Sequence, residues 1–171
     1  PDKKTRPVPS GRIMISMAYA EWLLLAAAGF GIAAAINLPF LLNCIALWIM
    51  GIAYNVRPLR TKDRPYLDVL SESINNPIRL AMGWHMTGAL TAPTVSVMGA
   101  YWMFGAFLMA AKRFAEYRHI GDPVKAGQYR KSFCYYTEAR LIVSIITYVT
   151  LFGMFSGVFI SRYRMELLLA T

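Results

Sequence analysis

The chain has 171 residues, of which 57% are hydrophobic and 16% charged, and a formal net charge of +9. A soluble domain carries roughly a quarter charged residues, so this composition excludes an ordinary soluble fold and implies a membrane protein whose basic residues are segregated from its apolar ones. Aromatic residues lie within the apolar runs rather than among the cations, which argues against a nucleic-acid surface.

In chain order, the first segment, 1–12, reads PDKKTRPVPSGR. Lys3, Lys4 and Arg6 form a compact cationic cluster, Pro7 and Pro9 stiffen it, and Ser10-Gly11 turns the chain into the first apolar run. A planar guanidinium fork beside ammonium point charges suits phosphate oxygens. No signal peptide pattern precedes the first helix, and the chain starts at Pro1, so an excerpt of a longer protein is expected.

A bilayer core about 30 Å thick needs roughly 20 apolar residues in a helix. On that measure five spans are expected, at 13–36, 37–54, 67–90, 94–111 and 139–161, making an all-α integral membrane protein of one domain. The first two are separated by the Asn37-Leu38-Pro39 turn and form a helical hairpin, with Ser16 placed to cap the first helix. The third differs from the rest. It carries Asp68, Glu72, Asn75, Asn76, Arg79 and His85, and the first five recur at spacings that put them near one helical face. Such residues are costly in lipid. They fit a buried ion-pair network or, better, a polar cavity open at the membrane surface.

The segments between spans set the orientation. Lys and Arg collect in 1–12, in 55–66 (Arg57, Arg60, Lys62, Arg64) and in 112–138, while the connections around Asn37 and around 90–93 carry none. With five spans all three basic segments share one side, which the inside-positive rule makes cytoplasmic. At the start of the last segment Lys112, Arg113 and Glu116 project from the end of the fourth span, Lys112 and Glu116 one helical turn apart. His85 and His119 lack partners at ligand spacing, Cys44 and Cys134 form neither a disulfide framework nor a metal motif, and there is no P-loop or nucleophile elbow.

Three segments taken together, PDKKTRPVPSG, then AYNVRPLRTKDRPYLDV with NNPIRLAMG, then MAAKRFAEYR with YRKSFCYYTEARL, resemble the UbiA-type superfamily of intramembrane prenyltransferases. The resemblance implies a bundle of about nine helices, of which the five spans would be the central ones. It implies an aspartate-rich motif upstream of Pro1 that holds Mg²⁺ on a diphosphate substrate, with no metal ligand in this chain. Lys3, Lys4 and Arg6 would then face the diphosphate, joined by Lys62 and Arg64. Where most relatives carry a second D-x-x-x-D motif this chain has Lys112-Arg113-Phe114-Ala115-Glu116, which is similar to the decaprenyl-phosphate phosphoribosyltransferase-like branch. Lys112, Arg113 and Glu116 are expected to contact a substrate phosphate or sugar there, and Asp68, Asn76 and Arg79 complete the expected substrate-binding set. The implied activity is transfer of phosphoribose from a Mg-bound diphosphate donor to a polyprenyl phosphate. An aromatic prenyltransferase and a non-catalytic subunit of a larger membrane complex are the alternatives.

Overall fold

The computed structural model describes residues 5–169, with side chains from 5 to 165, and these are helical with no strands. Helix α1 (Ile15–Ile36) and helix α2 (Leu38–Asn55) form the expected hairpin. Asn37 makes its turn: the side-chain oxygen accepts from Phe40 N at 2.8 Å, and Pro39 sits in the first turn of α2, where a missing N–H costs nothing. Between the two helices Trp22 stacks on Trp48, with ring centroids 5.1 Å apart. Ser16 lies inside α1 rather than capping it; Met14 occupies the cap position.

The expected third span is two shorter helices, α3 (Leu67–Ser73) and α4 (Asn75–Met86), separated at Ile74. Pro77 accounts for the interruption, because it has no N–H to give the Ser73 carbonyl and its ring crowds that carbonyl. Among the described residues four helices, not five, are long and apolar enough to cross a membrane: α1, α2, α5 (Val95–Ile120) and the Glu138–Met165 part of α7 (Glu138–Leu169). Polar content and the proline keep α3 and α4 out of that group.

Helix α5 runs nine residues past the expected end at 111 and stops at Gly121, which takes the left-handed φ of +67° that a glycine adopts without steric cost. The rest of the expected loop is ordered as well. Asp122 caps α6 (Pro123–Tyr129) by accepting from Val124 N and Lys125 N, and a 3-10 turn follows at Lys131–Cys134. Ala126, Phe133, Tyr136 and Leu141 bury together here, against Phe114, Tyr117 and Ile120. This strap of 121–137 is therefore folded onto the end of α5.

The main core is Val69, Met103, Ala106, Ala110 and Tyr148, where α3, α5 and α7 meet. Small residues on α5 permit the approach. A β-carbon at Gly99 would collide with the Phe155 ring, and one at Gly105 with the Asn76 side-chain amide. At one end of the bundle Asn37 Nδ2 donates to the His85 carbonyl at 2.8 Å, tying the hairpin turn to the end of α4. All described basic segments between helices lie at the other end, where the charged network forms.

Candidate functional site

Helix α3 begins from an unusual turn. Tyr66 has φ +64° and ψ −43°, and Leu67 N donates to the Pro65 carbonyl at 2.7 Å. Such a three-residue turn is strained for a residue with a side chain and persists only when its surroundings enforce it. Here the enforcing group is Tyr136. Its hydroxyl accepts from Tyr66 N at 2.6 Å and donates to Asp68 Oδ1 at 2.7 Å. Burial, reinforced by the Asp68 charge and hydrogen bond, pushes the Tyr136 phenol above its ordinary range and keeps it a donor.

Asp68 is fully buried. Its Oδ2 accepts from Ser132 Oγ at 3.0 Å and from Arg113 Nε at 3.3 Å, and pairs with Arg130 Nε at 3.3 Å. The Arg113 guanidinium, also buried, uses its other two nitrogens on Glu72 at 2.7 Å and Glu116 at 3.2 Å. Tyr54 Oη closes the ring, donating to Glu72 Oε2 and accepting from Arg130 Nη2, both at 2.8 Å. Three carboxylates and two guanidiniums from α3, α5 and the strap thus satisfy one another, with the Tyr54 hydroxyl of α2 bridging Glu72 and Arg130. A charge so deeply desolvated is tolerable only when paired and hydrogen-bonded in this way. Glu72 and Glu116 keep about 32% and 26% of their side-chain surface open, so the network is closed at Asp68 and accessible at the two glutamates.

The expected substrate residues divide between this network and the surface around it. Asp68, Arg113 and Glu116 come together at its centre. Lys112 is exposed on the next position of α5, and Arg79 is exposed on α4. Asn76 packs over Gly105 in the interior of the helix pair, away from these contacts. Lys62 Nζ donates to Asn55 Oδ1 at 3.1 Å, and Arg64 lines a separate cavity with Arg57, Arg60 and Lys131. Arg6 lies in the exposed turn before α1, and Lys3 and Lys4 fall outside the described residues. Arg130, Ser132, Tyr136 and Tyr54 were not anticipated as members of the site. The one available signal was the YRKSFCYYT segment, whose role in binding Asp68 depends on contacts of Arg130, Ser132 and Tyr136 with a residue far from them in sequence.

Among the described residues no group of His, Cys, Asp and Glu could hold a metal ion. The chemistry of the network explains why magnesium does not fit there. Each of its carboxylates is already turned onto a guanidinium, and Arg113 fills the position between Asp68, Glu72 and Glu116 that a cation would take.

An all-helical membrane protein whose buried charges gather at one end of the bundle is the class these features define. The chain matches the UbiA prenyltransferase family over residues 1–168 and belongs to it. No curated protein and no solved structure matches the chain. Membership and the four apolar helices make it an integral membrane protein of the prenyltransferase type, acting on an isoprenoid lipid.

Proposed function

We propose that this family member transfers phosphoribose from phosphoribosyl diphosphate to a polyprenyl phosphate. The observation that carries the reading is the use of Arg113 as an internal cation among Asp68, Glu72 and Glu116. A carboxylate set neutralised from within leaves the diphosphate of either donor to be held elsewhere, and the open edges of Glu72 and Glu116 offer acceptors to hydroxyl groups. A ribosyl donor supplies such hydroxyls, whereas an isoprenyl diphosphate has none.

In the proposed reaction the C1–O bond to diphosphate breaks, the diphosphate leaves with the electron pair, and an oxygen of the lipid phosphate forms the new bond to C1. The cations Arg6, Lys62 and Arg64, with Lys3 and Lys4, neutralise the leaving group, which is where charge develops. Lys112, exposed beside Glu116, holds the phosphate of the sugar or of the acceptor. Arg113 acts through the carboxylates and is a positioning residue. The aromatic prenyltransferase reading keeps the fold and changes both substrates.

The expected result for Lys112→Ala and for Arg6→Ala is a fall in turnover of about tenfold or more, the size of one lost charge-assisted contact, with helix content unchanged by circular dichroism. Wild-type turnover in both variants would reduce these cations to topology signals. The reading also places the basic end in the cytoplasm. Cys134, exposed on the strap, reports on it: with Cys44→Ser, a membrane-impermeant maleimide is expected to label inside-out vesicles and spare right-side-out ones. The reverse pattern would overturn the orientation.

A further inference from the structure

The turn between α2 and α3 and the strap meet outside the Asp68 network. Arg57, Arg60, Asp63 and Arg64 from the first, and Lys131 from the second, line one cavity of about 380 Å³. Adjacent residues of the strap diverge there: Arg130 turns inward to Asp68 and Tyr54, and Lys131 turns outward to this cavity. Asp63 is the one carboxylate among the lining residues, and Arg60 holds it at 2.8 Å. Among the described residues the side chains of Arg57, Arg64 and Lys131 form no ion pair.

The inside-positive rule asks for cations in short loops, but it does not ask that two loops some seventy residues apart aim theirs at one pocket. Three uncompensated cations repel one another, and the fold has spent no carboxylate on relieving them. A ligand of charge near −2 relieves most of that repulsion, whereas a carboxylate would relieve a third. Two guanidinium forks and one ammonium are the donor set that phosphate oxygens accept best. We propose that Arg57, Arg64 and Lys131 form a phosphate-binding site distinct from the Asp68 network, taking either a soluble phosphate ester or diphosphate or the headgroup of an anionic lipid. The site extends the phosphate role given above to Arg64, but it does not require transfer to occur.

The test is therefore binding without turnover. The full chain in phosphatidylcholine nanodiscs is titrated with inorganic diphosphate by calorimetry, and in nanodiscs containing phosphatidylglycerol the lipid retained is counted by native mass spectrometry. For a soluble ligand, the wild type binds diphosphate saturably and Arg57→Ala/Lys131→Ala weakens it by about a hundredfold or more, the loss of two charge-assisted contacts. For a lipid ligand, phosphatidylglycerol stays on the wild type and is lost from the double variant. Arg64→Gln gives a second, milder variant that is expected to weaken the same ligand. Equal binding of both probes to wild type and variants, or binding of neither to wild type, overturns the proposal. Neither result depends on catalysis: the difference between wild type and Arg57→Ala/Lys131→Ala tests this site, and the transfer assay tests the transferase reading.

Discussion

Asp68 holds the strap, α3 and α5 together through one carboxylate. Its two oxygens receive Tyr136, Ser132, Arg113 and Arg130, and each of those groups belongs to a segment that loses its anchor if the charge is removed. Asp68→Asn keeps the shape and deletes the charge, leaving Arg130 without its carboxylate and Arg113 buried with one fewer. Breaking a buried pair from one side costs about 3–5 kcal/mol. A lowered thermal unfolding midpoint in detergent is the expected outcome, and an unchanged midpoint would show that Arg113 is satisfied by Glu72 and Glu116 alone. The sequence made part of this legible. The spacing of Asp68 and Glu72 marked a polar helical face, and Lys112-Arg113-x-x-Glu116 marked a charged helix end. That the two meet could not be read locally, since Arg113 and Asp68 are 45 residues apart. Arg130 and Lys131 look alike in sequence, yet one is structural and the other lines an open cavity; only the 3-10 turn decides which way each points.

At the scale of the elements, the apolar runs located α1, α2, α5 and α7 because length and hydrophobicity suffice to define a membrane helix. They failed for the third segment, where Pro77 breaks the backbone ladder at Ser73 and the polar residues serve contacts with α2, α5 and the strap. They failed again for 112–138, read as a basic loop, because Phe133 sits in a 3-10 turn and Tyr136 in the irregular segment after it, and they bury against Phe114 and Tyr117 through the fold of the strap. The seam between α4 and α5 is the tightest test of the packing. Gly105 faces the Asn76 amide and the Ser73 β-carbon, so Gly105→Ala is expected to destabilise the protein by about 1–3 kcal/mol, as overpacking does. Adding Asn76→Ala removes the main obstruction and is expected to restore most of the thermal midpoint. If Gly105→Ala is neutral, or if the double variant is no better than the single, the close approach is not what positions Asn76.

At the scale of the whole molecule, the bundle has two unlike ends. One is tied by the Asn37 amide to the His85 carbonyl and carries little charge; the other gathers the Asp68 network, the exposed Lys112 and the Arg57, Arg64 and Lys131 cavity within the same surface. In the proposed reaction the apolar helices between them would hold these groups at the membrane boundary, where a lipid phosphate and a water-soluble donor meet. Family membership fixes the kind of chemistry, and the internal Arg113 cation is what separates the proposed sugar donor from an isoprenoid one. The direct measurement is transfer by the purified, membrane-reconstituted protein. Labelled phosphoribosyl diphosphate with a polyprenyl phosphate is set against labelled isoprenyl diphosphate with an aromatic acid, and extraction shows where the label goes. The account predicts ribosyl label in the lipid fraction and released diphosphate in the first reaction. Transfer in the second reaction and none in the first would contradict it.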